Sequence, residues 1–492
     1  MEEVTSYWIT RLLVQRGLAL IYLIAFLVAL NQFRALLGES GLLPVPLFLQ
    51  KVRFADAPSL FWLWPKDTVF AIAAWTGLTL SLLALLGIPE KIGTSASMVT
   101  WAILWVLYLS FVNTGQRFYA FGWESMLLEV GFLAIFLGGA KTEPSVITVW
   151  LLRWMLFRVM FGAGLIKLRG DPCWTDFTCM HYHYETQPIP GPLSSFFHFL
   201  PSVFHRFEVL MNHIVELGIP FLFFAPQPYA AIAGVTTIVF HGWLILSGNL
   251  AFLNWITIVL AFSTFPDAFL GKILPLASPL LTPRGAAYDY VLIGLAMLVA
   301  LLSINPVSNM LSPRQLMNAT FDSLHLVNTY GAFGSVTKER LEVVVEGSAS
   351  QATQNAEWKE YAFKGKPGNI ARSPPQIAPY HLRLDWLMWF LPFRLYSKNP
   401  PLTHGHEAWF INFMAKLLKG DEAVLKLLRE NPFKDSPPRY VRALLYQYQF
   451  TDPTQQNITG NVWKRELLGT YFPEVSLQDP SFRKVLREQG WE

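Results

Sequence analysis

The stretch Thr68-Val-Phe-Ala-Ile-Ala-Ala-Trp-Thr-Gly-Leu-Thr-Leu-Ser-Leu-Leu-Ala-Leu-Leu-Gly87 contains no charged residue, and most of its side chains are apolar. An α-helix needs about 20 mostly apolar residues to cross the hydrocarbon core of a bilayer, and this stretch supplies them. The sequence therefore predicts a membrane-spanning helix here. Comparable stretches recur as far as residue 305, so this part of the chain is predicted to be an α-helical polytopic membrane domain.

The other apolar stretches that are long enough to be spans lie on both sides of this one. They are 8–30, 92–112, 121–139, 145–166, 207–225, 229–247, 249–266 and 287–304. The three weakest candidates could instead be re-entrant or lie along the interface: 121–139 (Glu124, Glu129), 145–166 (Arg153, Arg158) and 207–225 (Glu208, His213, Glu216). We therefore expect about eight or nine spans. No small-residue cleavage site follows the first stretch, which favours an uncleaved span over a signal peptide.

The composition supports a membrane protein and argues against nucleic-acid binding. Charged residues make up 15% of the chain, against about 25% in an ordinary soluble domain. The chain has 18 Trp residues, and Trp favours the membrane–water boundary, where one edge of the ring stays hydrated. The net charge of +4 is too small to indicate nucleic acid as a partner. The partner that the composition predicts is the lipid bilayer.

The character of the chain changes after Ile304-Asn305-Pro306, where charged residues become dense. Residues 340–346 and 358–363 show alternation of apolar and polar side chains and are rich in strand-forming residues. The polar stretch between them could be a hairpin loop. Residues 409–428 have a helical pattern that Gly420-Asp421 interrupts. There is no Gly-rich phosphate loop and no G-x-S-x-G motif. The tail is therefore predicted to be a small soluble α+β domain.

Two domains follow from these patterns. A multi-span transmembrane domain occupies 1–305, and the soluble C-terminal domain occupies 306–492. Within the first domain, the polar segment 167–206 interrupts the apolar stretches and is here called the signature loop. Its candidate functional residues are Asp171, Cys173, Trp174, Cys179, His183 and Glu185.

The cysteines and histidines of the signature loop raise the question of a metal. Cys173, Cys179, His181 and His183 are residue types that bind zinc, but their spacing does not match a short zinc finger. The alternatives are a disulfide between the two cysteines, if the loop faces an oxidising compartment, or two packed thiols. We expect no metal site.

Lys167 stands at the end of an apolar stretch. The simplest interpretation is that its side chain extends to the lipid headgroups. The alternative is a partly buried lysine with a depressed pKa, which could act as a base.

A polar stripe is predicted on the helix that follows the signature loop. His205, Glu208, Asn212 and Glu216 are spaced three, four and four residues apart, which places them on one helical face, and His213 lies beside them. Ionisable groups at membrane depth must face protein or a wet cavity. One interpretation is hydrogen bonding between helices, for example to arginines or glutamates of other spans, and the alternative is a ligand or substrate cavity.

Sequence motifs occur in a fixed order along the chain. The central one is Gly164-Leu-Ile-Lys-Leu-Arg-Gly-Asp-Pro-Cys-Trp-Thr-Asp-Phe-Thr-Cys-Met180, followed by His183-Tyr-Glu-Thr-Gln-Pro188. The others are His205-Arg-Phe-Glu208, Asn212-His213-x-x-Glu216-Leu217, Ser247-Gly-Asn249-Leu-x-Phe-Leu-Asn254-Trp255, Asn328-Thr-Tyr-Gly-x-Phe-Gly-Ser-Val-Thr337, Lys366-Pro-Gly368, Pro379-Tyr-His-Leu-Arg-Leu-Asp385-Trp386-x-Met-Trp389 and Asn431-Pro-Phe433. Together they resemble the lipase maturation factor family. His181 departs from the resemblance, because an acidic residue is expected there.

The resemblance implies a chaperone-like membrane factor that assists folding, assembly and maturation of secreted lipases, without catalysis and without a cofactor. It implies a client lipase or other secreted hydrolase as partner. The compartment would be the endoplasmic reticulum membrane in a eukaryote and the inner (plasma) membrane in a bacterium. We expect Trp386, Trp389 and Trp409 to be candidates for apolar client-facing surface, the alternative being that they form the tail's own core.

A second likeness covers the membrane half alone. Ala163-Gly164-x-x-Lys167-Leu, followed by Trp174, resembles a segment of the vitamin K-dependent γ-carboxylase and its related multi-span domains. This likeness implies an alternative function, a membrane enzyme that uses Lys167 as a base on a lipid or quinone substrate. A transporter is disfavoured because the sequence shows no repeat of spans.

Overall fold

A computed structural model describes residues 6–351, 353–396 and 406–491. The longer helices are α1 Trp8–Leu37, α2 Asp67–Leu85, α3 Thr94–Thr114, α4 Gly122–Ala134, α5 Val146–Arg169, α6 Met180–Thr186, α7 Ser202–His213, α8 Tyr229–Ser247, α9 Leu253–Ala261, α10 Ala286–Leu302, α11 Ile304–Leu311, α12 Arg383–Phe390, α13 Ala408–Lys419, α14 Pro453–Thr459 and α15 Pro480–Glu488. Shorter helices are Val45–Leu49, Ile88–Ile92, Pro172–Thr175, Ser194–His198, Asp267–Leu270 and Glu422–Leu425.

Seven helical segments in the described residues are long and apolar enough to cross a membrane. They are α1, α2, α3, α5, Ser202–Phe224, α8 and Ala286–Leu311. The polytopic helical fold is therefore confirmed, whereas the predicted count of eight or nine spans is not. The stretches 121–139 and 249–266 form only the shorter helices α4 and α9.

Helix α4 is an internal helix because its two carboxylates are paired inside the protein. The Arg383 Nη1 atom lies 2.7 Å from Glu124 Oε1, and Glu129 is hydrogen-bonded by Arg158 and by Tyr330. Both glutamates are essentially unexposed. A helix that must keep two carboxylates away from lipid is surrounded by protein. This is why its apolar content alone wrongly suggested a membrane span.

Helix α1 lies at the centre of the apolar core. Its Phe26 ring packs edge-on against Tyr108 of α3, with 5.6 Å between ring centroids. The same ring lies against α2 at Gly77, where an added Cβ would lie 2.4 Å from Phe26. A small residue at this crossing lets the two helices pack closely, as is common between membrane helices.

The last span is followed directly by a second helix. Helix α10 ends at Leu302 and α11 begins at Ile304, so Pro306 lies in the first turn of α11. Proline is tolerated there because the first-turn N–H groups have no helical acceptor. The domain boundary at 305 remains a prediction.

The tail contains a four-stranded antiparallel sheet in the order β2-β1-β3-β4. The strands are β1 Arg340–Ser348, β2 Lys359–Glu360, β3 Tyr440–Phe450 and β4 Trp463–Val475. The predicted hairpin corresponds to β1 and β2, which pair antiparallel. The predicted helical region 409–428 is α13 and a short helix, separated at Gly420, whose φ of 64° ends α13. The sequence analysis missed β3 and β4.

The core of the tail is continuous with the core of the helical half. Gln32 of α1 donates a hydrogen bond to the His381 carbonyl at 2.6 Å. The Asn249 Oδ1 atom accepts hydrogen bonds from the backbone N–H groups of Ile377 and Ala378. The tail thus has the expected mixture of strands and helices, but it is packed onto the membrane half and does not stand apart from it.

Candidate functional site

Lys167 is buried at the end of α5 and forms an ion pair. Its Nζ lies 2.6 Å from Glu216 Oε1 and 2.9 Å from Asn212 Oδ1, and 4% of the residue is exposed. The prediction that its side chain extends to the headgroups is wrong, because Glu216 offers a closer partner inside the protein. The ammonium also lies 4.9 Å from the Trp174 ring centroid, close enough for a cation–π interaction.

Local backbone geometry brings this pair together. Glu216 lies in a π-helical turn, Ile214–Gly218, that continues α7. Such turns bulge from an α-helix and are frequent at functional sites. Gly164 of α5 faces this turn, and an added Cβ there would lie 2.6 Å from Leu217 Cδ2 and 3.1 Å from Glu216 Cβ. The absence of a side chain at Gly164 therefore permits the close approach that the ion pair requires.

The polar stripe divides into two groups. Asn212 and Glu216 contact Lys167, and Asn212 Nδ2 also donates to Glu216 Oε2 at 3.1 Å. His205 and Glu208 contact each other at 3.0 Å between Nδ1 and Oε2. Glu208 further accepts hydrogen bonds from the Tyr184 hydroxyl and, at 3.2 Å, from Trp243 Nε1.

His213 points to the signature loop, with 3.1 Å between its Nε2 and the Trp174 carbonyl oxygen. The partners of the stripe are therefore Lys167, the signature loop and Trp243 of α8. The arginines and glutamates suggested as its partners pair elsewhere: Arg158 with Glu129, and Glu124 with Arg383.

The two cysteines of the signature loop form a disulfide, with a Cα–Cα distance of 4.8 Å. Their sulfurs are therefore bonded to each other and are not thiolate ligands for zinc. Within the described residues, no group of three or more His, Cys, Asp or Glu side chains is arranged to hold a metal ion.

Two further loop residues fix the backbone around the disulfide. Asp171 caps the short helix that holds Cys173, accepting a hydrogen bond from its N–H at 3.0 Å. Trp174 Nε1 donates to the Phe333 carbonyl of the tail at 2.8 Å. The first half of the signature loop is thus held against the segment 328–337.

Glu185 connects the second half of the signature loop to the sheet. Its Oε2 accepts a hydrogen bond from the Phe450 N–H at 2.7 Å, at the end of β3. Arg340, the first residue of β1, donates to the Glu185 carbonyl at 2.7 Å and to the Gln187 carbonyl at 2.6 Å. Burial raises the pKa of the Glu185 carboxyl, and the Phe450 N–H opposes that shift. Glu185 therefore joins the loop to the tail.

A cavity that is partly open to solvent lies where these groups meet. Lys167, Asn212, Glu216, Glu208 and His183 line it together with apolar side chains of α5, α8 and α9. The contribution of the tail to this site was not predicted from the sequence. Tyr330 and Phe333 are two such lining residues, and the signal for them was their position in the motif 328–337.

Polar groups of the later spans also reach the cavity. His241 of α8 and Asn254 of α9 both line it, with 3.0 Å between His241 Nδ1 and Asn254 Oδ1. Isolated polar residues on apolar helices are weak signals, because most are simply hydrogen-bonded in the packed interior. Their position here follows from the packing of α8 against α9.

The three tryptophans suggested as client-facing differ in position. Trp386 is 4% exposed and its ring packs edge-on against Trp123, with 4.9 Å between ring centroids. Trp409 is 2% exposed and packs against Phe118. Neither presents a surface to a client, because each fills the interface between the tail and the helical half. Trp389 is half-buried, and its Nε1 donates to the Thr186 carbonyl of the signature loop at 2.9 Å.

The fold and this site define a class of protein: a polytopic helical membrane protein whose disulfide-bonded loop is bound by a C-terminal sheet. A family model described as the lipase maturation factor transmembrane domain matches residues 9–272, and one described as the lipase maturation factor C-terminal domain matches residues 326–473. The chain belongs to the lipase maturation factor family.

Curated relatives agree with this assignment. Lipase maturation factor 1 of Mus musculus is 44% identical over 99% of this chain and 90% of its own length. The Homo sapiens protein of that name is also 44% identical, over 99% of this chain and 91% of its own. Lipase maturation factor 2 of Xenopus tropicalis is 30% identical over 96% of this chain and 83% of its own. No solved structure gave a significant match. These matches do not support the alternative reading as a carboxylase-like enzyme.

Proposed function

We propose that this protein is a membrane-embedded factor that assists folding, assembly and maturation of secreted lipases. The observation that carries the proposal is the 44% identity to proteins named lipase maturation factor 1 over nearly the whole chain. The buried state of Lys167 agrees with a structural role, since its ammonium is already engaged by Glu216 and Asn212.

The disulfide supports an oxidising environment around the signature loop. Disulfides persist in such environments, among them the lumen of the endoplasmic reticulum. The signature loop carries the disulfide and contacts the tail directly through Glu185 and Arg340, so both lie on the same side of the membrane. We infer an endoplasmic reticulum membrane location in a eukaryote, with loop and tail in the lumen where secreted lipases fold. In a bacterium the equivalent is the plasma membrane, with both facing outward.

This orientation predicts glycosylation in a eukaryotic host. Asn457-Ile-Thr459 is an acceptor sequence, and Asn457 is exposed on α14. The tail has a second acceptor sequence, Asn318-Ala-Thr320. Expressed in mammalian cells, the full chain is expected to lose apparent mass on glycosidase treatment, and the double variant Asn318→Gln, Asn457→Gln is expected to abolish that loss. An unglycosylated Asn457 in correctly inserted protein would contradict the luminal tail.

We place client contact on the outer strand of the sheet. Strand β4 lies at the edge, and its Leu467 and Leu468 are 53% and 48% exposed. Tyr446 pairs with Leu467 and Leu445 with Gly469, so Leu468 is an extra residue in a β-bulge. This bulge lets two consecutive leucines face solvent together. An unpaired strand edge with apolar side chains is suited to bind an extended, incompletely folded segment.

The test is co-expression of the full chain with a secreted lipase in cells lacking their own lipase maturation factors. The double variant Leu467→Lys, Leu468→Lys is expected to lower secreted lipase activity several-fold at equal membrane expression. Ile458→Lys, which changes an exposed apolar residue on α14, is the matched control and should retain activity. Equal activity of the double variant and wild type would remove β4 as the contact. Absence of any rescue by wild type would overturn the proposed function itself.

A further inference from the structure

We propose that the cavity beside Lys167 binds a neutral lipid that has one hydrocarbon chain and a small hydroxyl-bearing head, of the monoacylglycerol kind. This inference goes beyond lipase maturation and includes no chemical step. It rests on the balance of charge in the cavity, on one polar side chain without a partner, and on the apolar wall.

The charged groups that line the cavity already have partners. Lys167 is paired with Glu216 at 2.6 Å, and both side chains are almost fully buried. The Glu208 carboxylate receives hydrogen bonds from Tyr184 and Trp243 and contacts His205. An anionic head group would therefore enter a low-dielectric site that contains the Glu208 carboxylate and offers no unpaired cation among its lining residues, so its desolvation would not be offset. An uncharged head group avoids this cost.

His183 supplies the polar recognition. It is 7% exposed and lines the cavity, and its ring packs edge-on against Phe333 with 4.9 Å between centroids. Its two ring nitrogens make no hydrogen bond to any residue in the described part of the chain. Burial, reinforced by the nearby Lys167 charge, lowers the pKa of His183 to about 4, so the ring is neutral at physiological pH. A neutral imidazole offers one donor and one acceptor, which a hydroxyl group matches on both counts.

The rest of the wall is hydrocarbon. Met160 and Ala163 of α5 face Phe240 and Leu244 of α8 across the cavity, and Leu253 of α9 adds to the lining. Helices α5 and α8 are both candidate spans, so the cavity is built from helices that contact the bilayer on their outer faces. Burial of each methylene stabilises the complex, which favours a hydrocarbon chain over a compact polar solute. The adjacent bilayer is the source of such a chain.

The probe is 1-monoacylglycerol with a photoactivatable diazirine in its acyl chain, added to the purified full chain in detergent micelles. We expect saturable labelling of peptides from α5 and α8. Excess unlabelled 1-oleoylglycerol should compete, whereas oleate and phosphatidylcholine, which carry charged heads, should compete at least tenfold less well, a difference of about 1.4 kcal/mol.

Two variants test the assignment to this cavity. His183→Phe removes the head-group partner, and Ala163→Leu fills space one helical turn before Lys167, so each should reduce labelling several-fold. His181→Phe is the matched control, because His181 lies on the same helix, does not line the cavity and hydrogen-bonds Ser202 instead. Thermal unfolding of each variant tests whether it is folded. If His183→Phe does not fold, Ala163→Leu provides the test. Labelling that is unchanged in the folded variants, or that charged lipids displace equally well, overturns the proposal.

Discussion

The Lys167–Glu216 pair illustrates how a charge is tolerated beside an apolar helix. Each side chain is about one-twentieth exposed, so both have given up most of their hydration. Asn212 compensates by contacting both partners, accepting from Lys167 and donating to Glu216. In such a group, removal of one partner is costlier than removal of both, because the remaining charge stays buried without compensation.

Single substitutions of this pair are therefore expected to be more damaging than the double substitution. Lys167→Met and Glu216→Gln should each lower the free energy of unfolding by about 3–5 kcal/mol, and the double variant should recover most of that loss. Thermal unfolding of the purified protein in detergent measures the effect. Arg53→Met, which removes an exposed ion pair with Asp56, is the control and should change little. Losses that simply add in the double variant would show that the two side chains do not act as a pair.

A pH dependence of stability follows from His183 and His198. Burial lowers the pKa of each to about 4 from the ordinary 6.5. In the unfolded chain these histidines become protonated near pH 6.5, whereas in the folded chain they stay neutral until about pH 4. Their full contribution to the free energy of unfolding is therefore present above pH 6.5, and it is lost as the pH falls from 6.5 to about 4. For the fully buried His183 the loss is on the order of 3 kcal/mol.

The midpoint of thermal unfolding, measured from pH 7.5 to 4.5, should therefore decrease on acidification. His183→Phe should give a shallower decrease, because it removes one of the buried histidines that contribute to it. A decrease of equal slope in wild type and variant would mean that His183 does not carry a shifted pKa.

At the scale of elements, the contact between the signature loop and β1 depends on Arg340. Its guanidinium is fully buried, donates to carbonyls of Glu185, Gln187 and Pro188, and pairs with Glu342 at 2.6 Å. Three carbonyls satisfied by one side chain hold the loop in a defined path. Hydrogen bonds from a charged donor contribute about 1.5–3 kcal/mol each to stability, and removal of this donor leaves the acceptors buried and unsatisfied.

Arg340→Met is expected to loosen the signature loop. Amide hydrogen exchange should become faster across residues 183–190, while α1 and α2 keep their protection. Arg442→Met is the matched control and should leave the loop protected. It removes a partly exposed ion pair between Arg442 of β3 and Glu346 of the neighbouring strand β1. Unchanged exchange in 183–190 would show that the loop holds its path without the sheet.

At the scale of the whole molecule, the helical half and the tail share one core, and this limits how well either can fold without the other. Arg383 from the tail is the buried partner of Glu124 in α4, and Asn412 of α13 donates to carbonyls at Gly41 and Leu42. These contacts join positions hundreds of residues apart in the chain. The helical half therefore relies on the tail to satisfy groups that it buries.

Truncation after Asn305 is accordingly expected to disrupt the helical half as well as to remove the tail. The truncated chain should aggregate in detergent or unfold at a markedly lower temperature than the full chain, because Glu124 and Asn249 lose buried partners. Size-exclusion chromatography and thermal unfolding measure this. A monodisperse truncated chain of unchanged stability would establish that the membrane half folds alone.

The sequence by itself determined the features that depend on local composition and on motifs. Apolar stretches such as 68–87 identified most spans, since crossing a bilayer requires a continuous run of apolar side chains. The spacing of His205, Glu208, Asn212 and Glu216 predicted that they share one helical face, and the ordered motifs indicated the family. A disulfide in the signature loop was one of the alternatives that the sequence left open.

Only the tertiary structure decided which residues meet. It made α4 an internal helix by pairing Glu124 with Arg383, and it buried Trp386 and Trp409 between the two halves. It also joined Lys167 to Glu216 and brought Phe333 into their cavity. The physical reason is that hydropathy and periodicity are sums over neighbours in the chain, whereas ion pairs and cavities arise between segments that only packing brings together.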